Sequence, residues 1–268
     1  MIHDYEGKDK EGMVLRYEKS SINDGDGMRT VVFLKGCPLC CRWCSTPESQ
    51  HGYIEKTDSN VYGFKQTVEQ VLKEVRKDIP FYFHSGGGMT LSGGEVLAQP
   101  EFTRLILKRA CYEGISCAIE TSFFQDWKYI EPILEYLSIL FVDLKFYSTD
   151  LHKKYTGVDN SRILENMLRT NDVDLTDCKF VIRIPTIPGY NDTEFELRKM
   201  GQFLSQLKNL HHVQLLPYHK LGLHTYEELG REYQLQGTEV PSEEHMLWCA
   251  GIIREYVDHV MAGDTVLD

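Results

Sequence analysis

Short apolar, β-branched runs alternate along the chain with segments whose apolar residues recur every three or four positions. Residues 30–34 (TVVFL) read as a buried strand, and Val68, Val71, Leu72 and Val75 then share one helix face. Residues 89–92 predict the next strand. Phe102, Leu105, Ile106 and Ala110 predict the helix after it, closed by Gly114. The pattern repeats with strand 115–120 and the face Trp127, Ile130, Leu134, Leu137, then with strand 139–143 and Ile163, Leu164, Met167, Leu168. Strand 180–184 follows with Phe195, Met200, Phe203 and Leu207, and strand 213–216 with a last helix around Met246, Ile253 and Val257. Such alternation specifies βαβ units and a mainly parallel sheet. About six units fit, fewer than the eight of a closed barrel, so the expected fold is α/β, an incomplete (partial) TIM barrel. No repeat or Pro/Gly-rich linker divides residues 1–268, which predicts a single domain with an N-terminal extension of about residues 1–13.

Charge narrows the possible partners. The 268 residues carry 29 Lys+Arg against 40 Asp+Glu, a net charge of −11, which argues against binding duplex nucleic acid. The first eighteen residues are charged throughout and show no apolar signal region. No uncharged apolar run approaches the ~18 residues of a membrane span. These features predict a cytoplasmic protein, in a compartment where thiols stay reduced.

That expectation gives weight to the eight cysteines, because Cys37, Cys40, Cys41 and Cys44 fall within eight consecutive residues. In a reducing compartment such a cluster reads as metal binding or catalysis. Two parsings are open. All four thiolates can form two abutting CxxC pairs for zinc or iron–sulfur. Alternatively Cys37, Cys41 and Cys44 form CxxxCxxC, with Cys40 a bystander. Adjacent Cys40 and Cys41 chelate one ion only with awkward backbone geometry, and Cys111, Cys117, Cys178 and Cys249 are too scattered to supply a second pair. This favours the three-cysteine parsing, which leaves one iron of a four-iron cluster open to a substrate. The scattered cysteines read as small core residues.

In α/β folds chemistry gathers at the carboxyl ends of the strands. Here those ends carry Gly36-Cys37, Ser92-Gly93-Gly94-Glu95, Glu120-Thr121, Asp143-Leu144-Lys145, Arg183 and Pro217-Tyr218-His219. A guanidinium in the apolar run VIRIP is costly unless it is partnered, which marks Arg183 for a site.

The CxxxCxxC spacing, with Trp43 before the third cysteine, resembles the radical S-adenosylmethionine (SAM) superfamily. Asn23-Asp24-Gly25-Asp26-Gly27-Met28-Arg29, the run from Ser85 to Glu95 (SGGGMTLSGGE), Asp143-Leu144-Lys145 with His152, and Leu216-Pro217-Tyr218-His219 resemble its glycyl radical enzyme activating enzymes. The likeness runs from about Val14 to Val257. No cysteine lies between Cys44 and Cys111, so the ferredoxin-like insert of some members is missing, and the chain is most similar to the single-cluster pyruvate formate-lyase activating type.

The resemblance implies one [4Fe-4S] cluster on Cys37, Cys41 and Cys44, with SAM chelating the open iron. One electron from the reduced cluster then yields a 5′-deoxyadenosyl radical, which takes a hydrogen atom from a glycine of a partner glycyl radical enzyme. It implies SAM contacts at Trp43, Cys44, Ser45, Ser92, Gly93, Gly94, Glu95, Asp143, Leu144, Lys145, Arg183 and His219. It also implies a monovalent cation at Glu120, Thr121 and Asp143, and partner-peptide contacts at Asp24 and Gly25. The family's Asp-Thr-Asn-Gly run is Glu120-Thr121-Ser122-Phe123 here, and its His-Asn after the third cysteine is Ser45-Thr46. A flavodoxin or ferredoxin is the expected electron donor and a monomer the expected state. The alternatives are a radical SAM enzyme acting on a small molecule and a zinc- or cluster-bearing interaction module.

Overall fold

The computed structural model describes residues 5–263 and 265–267, so residues 1–4 of the expected extension lie outside the described residues. The chain divides into two compact units. The first takes it up to residue 38 and then 48–121 and 125–140; the second takes 39–47, 122–124 and 141 onward.

In the first unit, β1 (Glu11–Ser21), β2 (Arg29–Leu34), a small hairpin of β3 (Glu55–Lys56) and β4 (Val61–Tyr62), and β5 (Phe64–Thr67) precede α1 (Val68–Arg76) and α2 (Ile79–Ser85). After them come β6 (Gly88–Gly93), α3 (Pro100–Tyr112), β7 (Ser116–Thr121) and α4 (Trp127–Leu134). The main sheet runs β7-β6-β2-β1-β5. The pairs β2–β6 and β6–β7 are parallel, whereas β1 is antiparallel to β2 and β5. The expected strand at 30–34 is β2, and its residues Val31, Val32 and Leu34 are fully buried with Met89, Leu91, Ile106 and Ile119. The four apolar residues expected on α1 are all buried, and a capping box between Thr67 and Gln70 starts the helix. The expected extension ends early, since residues 11–13 already belong to β1.

The chain passes into the second unit within β8 (Ile139–Asp143). There follow α5 (Thr149–Thr156), α6 (Ser161–Arg169), β9 (Lys179–Thr186), α7 (Glu194–Leu204) and β10 (Leu210–Pro217), then α8 (Leu223–Glu228), α9 (Glu243–Arg254), β11 (Val260–Ala262) and β12 (Thr265–Leu267). Strands β9, β10 and β11 are parallel neighbours, and β12 closes the edge antiparallel. Each unit is mixed α/β, and the parallel pairs that the alternation predicts are β2–β6 and β6–β7 in the first unit and β9–β10 and β10–β11 in the second.

Several positions differ from the periodic reading. Phe195 and Leu168 are exposed, while Asn166 is buried because its amide donates to Phe123 O at 2.9 Å. Leu207 and Val257 lie beyond the ends of their helices. Helix α5 has no counterpart in the apolar pattern. Glu196, buried on α7, accepts from Tyr147 N at 2.6 Å, from Ser148 N at 2.9 Å and from the Ser148 hydroxyl. The residue at the α5 N-cap thus gives its side chain to a carboxylate 48 positions away, not to its own helix.

Candidate functional site

The first unit supplies Cys37 and two strand-end motifs. Gly36 N donates to Ser49 O at 2.7 Å and Cys37 N to Gln50 O at 2.9 Å, which fixes the entry to the cysteine loop. The turn Ser92-Gly93-Gly94-Glu95 lies against it, with Glu95 N donating to Gly36 O at 2.8 Å. A Cβ on Gly94 would stand 2.5 Å from Gly36 O and 2.9 Å from Ser49 O, so backbone packing alone demands glycine there. Glu95 is buried, and its Oε1 accepts from Leu97 N at 3.0 Å and from Thr121 Oγ1 at 2.6 Å. Ser92 Oγ donates to Glu120 Oε2 at 2.5 Å. Ser92, Glu95, Glu120 and Thr121, expected at the site from separate strands, are thereby joined in pairs across the ends of β6 and β7.

The Asp24-Gly25 loop is fixed from beneath. Thr90 Oγ1 donates to Asp24 O at 2.7 Å, and the Asp24 carboxylate accepts from Ser21 Oγ. Arg29 is fully buried and donates to Thr90 Oγ1 (2.7 Å), Met89 O (2.6 Å), Ser116 O (3.0 Å), Ser116 Oγ (3.4 Å) and Asp26 O (3.2 Å). Its burial lowers the guanidinium pKa, as loss of water must for a cation.

The second unit supplies the rest of the cysteine loop. Cys40 N donates to Thr156 O at 2.7 Å and Arg42 N to Tyr155 O at 3.0 Å, so α5 carries the loop backbone. Cys44 N closes the turn on Cys41 O at 3.1 Å. Cys40 is exposed, whereas Cys37, Cys41 and Cys44 are each partly buried, and all four lie outside any disulfide. Burial pushes the Cys41 thiol up to about 12, opposed by the Lys145 ammonium. Among the described residues, no three His, Cys, Asp or Glu side chains are already gathered as a metal-holding group. The fit of an iron–sulfur cluster therefore rests on donor chemistry, a run of thiols outside any disulfide on a loop held at its backbone.

Lys145 Nζ donates to Asp143 Oδ2 at 2.5 Å at the end of β8, and Asn191 holds the Lys145 carbonyl at 2.9 Å and the Pro185 carbonyl at 2.6 Å. Leu144 is buried, with its N–H on Arg183 O at 2.9 Å. Arg183 is buried in β9, 3.6 Å above the Phe141 ring, and donates to Gln214 Oε1 at 3.1 Å. These contacts partner the guanidinium that the sequence left unexplained. Trp43 is buried in an aromatic group, tilted 5.9 Å from Phe146, so packing accounts for it. Ser45 and His219 are exposed, and partial desolvation lowers the His219 pKa.

Periodicity gives no sign of Arg29, Asn191, Tyr226, Tyr233 or Arg231. The visible traces are the place of Arg29 at the end of the Asn23–Arg29 run and the recurrence of tyrosine at 218, 226 and 233.

Comparisons with known proteins converge on one family. The radical SAM superfamily profile matches residues 31–197. An isethionate sulfite-lyase activating enzyme of Oleidesulfovibrio alaskensis is 37% identical, covering 85% of this chain and 90% of that relative. A pyruvate formate-lyase-activating enzyme of Clostridium pasteurianum is 36% identical, covering 87% and 93%. Among solved structures, a domain of a pyruvate-formate lyase-activating enzyme from Bacteroides vulgatus matches with a TM-score of 0.52 at 31% identity, covering 63% of this chain and 94% of that one. The first alignment runs over 281 positions, of which 85% of 268 residues, about 228, are filled by this chain. The second runs over 234, of which 87%, about 233, are filled, so the chain is nearly collinear with that relative.

Proposed function

The chain belongs to the radical SAM superfamily, among its glycyl radical enzyme activating enzymes, and from that premise we propose which residues perform the activation and on what partner. The family uses a [4Fe-4S] cluster and SAM, and the small-molecule alternative is not favoured by its relatives. The cluster ligands are Cys37, Cys41 and Cys44, and Cys40 is a bystander. The observation that carries this reading is the contrast in exposure: Cys40 stands in solvent while the other three are partly buried on pinned backbone. When bound, the reduced cluster and SAM supply the radical that removes a hydrogen atom from the partner's glycine.

The residues of the chain act around that event. Lys145 and Arg183 offer cationic ends for the methionine carboxylate or ribose. The Ser92–Glu95 turn offers backbone carbonyls to the methionine ammonium, with Leu144 packed under its neighbours. Cys44, Ser45, Trp43 and His219 take the adenosyl side. Glu120, Thr121 and Asp143 are oxygen donors for a monovalent cation, in competition with Ser92 and Lys145, which bond two of them now. Asp24 and Gly25 meet the glycine-bearing peptide, a role supported by the buried Arg29 that holds their loop. An unselective alkyl radical requires the target to be held close and water kept out.

The partner is a glycyl radical enzyme of the pyruvate formate-lyase type or a relative, a choice supported by the near-collinear alignment. The electron donor is a flavodoxin or ferredoxin, and the chain works as a cytoplasmic monomer of one radical SAM domain. Among the described residues no helix is long and apolar enough to cross a membrane.

Anaerobic reconstitution followed by electron paramagnetic resonance tests the assignment. A reduced four-iron signal that changes on adding SAM is expected for the wild type. Cys37→Ala, Cys41→Ala and Cys44→Ala each lose it, and Cys40→Ala keeps it. Loss of the cluster in Cys40→Ala, or a signal indifferent to SAM, overturns the reading.

A further inference from the structure

The segment that follows β10 has little regular structure of its own, since α8 spans six residues, yet it is bound closely to the cysteine loop. Gly222 lies against that loop: an added Cβ would stand 2.8 Å from Ser45 O and 3.1 Å from Cys44 O. Nine residues on, Arg231 Nη1 donates to Pro47 O at 2.6 Å, and Arg231 N donates to Tyr226 O at 2.8 Å. Between and on either side of these two points the chain turns its tyrosine side chains inward. The hydroxyls of Tyr218 and Tyr233 are 2.6 Å apart, and the Tyr226 and Tyr233 rings meet edge to face at 5.1 Å. All three tyrosines are buried with Trp43, Phe146, Ile187 and Leu235, and Cys41 and Leu223 pack against the group.

We infer that residues 220–235 form a clasp over the Cys41–Pro47 half of the cysteine loop, latched by Arg231 on Pro47 and seated by Gly222 on Cys44, which keeps water from the thiolates of a bound cluster. The inference rests on the reading of Cys41 and Cys44 as ligands. Its physical basis is that solvent exposure and hydrogen bonding around the sulfurs govern how firmly and at what potential an iron–sulfur cluster is held. A six-residue helix is not stable alone, so the segment stays in place only through its tertiary contacts. The latch is a charged donor on one backbone carbonyl, a bond whose loss is costly because the carbonyl sits under a partly buried guanidinium. The seat is steric. Gly222 has φ −79, which any residue adopts, so only the missing side chain makes the close approach possible. Gly222 and Arg231 are positioning residues and touch no reacting atom.

The test is the rate at which anaerobically reconstituted, full-length protein surrenders iron to a ferrous chelator. Arg231→Gln removes the charged latch and Gly222→Ala props the seat open. Arg231→Gln is expected to release iron about tenfold faster than the wild type, the factor a lost charged hydrogen bond of this kind gives, and Gly222→Ala also to release it faster than the wild type. Arg231→Lys keeps a cationic donor and restores release to within about threefold. Cys41→Ala and Cys44→Ala run alongside. If they retain a full cluster, the ligand reading itself falls. If they lose it while Arg231→Gln and Gly222→Ala both release iron within twofold of wild type, or if lysine does not rescue, the clasp falls and the ligand reading stands.

Discussion

Replacing Arg29 by methionine keeps the aliphatic stem and deletes the guanidinium. Five hydrogen bonds disappear, to Thr90, Met89, Asp26 and both oxygens of Ser116. Each bond from a charged donor is worth roughly 1.5–3 kcal/mol, and a buried carbonyl left without its partner costs about 1–3 kcal/mol. Against this, the cation no longer has to be stripped of water, the effect that lowers its pKa in the folded protein. Breaking one side of a buried charged network usually costs about 3–5 kcal/mol, and the recovered hydration brings the expectation to about 3 kcal/mol. Urea unfolding measures it as a lower midpoint at unchanged slope. Hydrogen exchange locates it, because Asp26 O and, through Thr90, Asp24 O lose their anchor, so amides 24–28 should exchange faster than those of α7. A loss under about 1 kcal/mol, with the loop's exchange unaltered, would refute the idea that the buried guanidinium holds this loop.

The remaining predictions follow from single contacts. His152 is buried, and desolvation, assisted by Lys145 and opposed by its bond to Val158 O, lowers its pKa from 6.5 to about 4. The unfolded chain then binds the extra proton first, so stability falls as pH drops from about 6.5 to about 4, by on the order of 3 kcal/mol; His152→Asn should flatten that part of the urea-midpoint profile. Gly94→Ala forces a Cβ against Gly36 O and should cost several kcal/mol while loosening the Cys37 amide from Gln50 O in exchange experiments. Arg183→Ala should weaken SAM binding in a titration of the reconstituted protein, and an unchanged affinity removes Arg183 from the site.

Buried parallel strands were legible because β-branched runs such as TVVFL have no other use, and α1 because four apolar residues and a capping box agree. Strand β1 was not legible. It lies antiparallel between β2 and β5, buries only two of its eleven residues and reads MVLRYEKS, with no sustained period of two. Helix α5 (TDLHKKYT) offers only Leu151 and Tyr155 as apolar contacts, and its stabilising carboxylate comes from Glu196. At the site, the cysteine spacing and the polar strand ends were visible because they are local. The partners of those residues were not, since Arg231 reaches Pro47 across 184 positions and Asn191 reaches Lys145 across 46. Gly94 shows a further limit: a motif glycine reads as a ligand contact although the backbone of Gly36 already requires it.

The bond from Glu196 to the start of α5 also sets an order in time. Helix α5 offers the carbonyls of Tyr155 and Thr156 to the amides of Arg42 and Cys40, so the loop has no rigid frame until α5 is in place. An eight-residue helix whose N-cap serine is committed elsewhere does not persist alone, and it waits for α7 to bring Glu196. Glu196 lies 154 positions after Arg42. At ribosomal speeds of roughly 5–20 residues per second, the cysteines emerge on the order of ten seconds before their scaffold exists. During that interval the four cysteines of the loop stand without the frame that α5 gives them, and cluster delivery to the finished frame belongs after synthesis of α7.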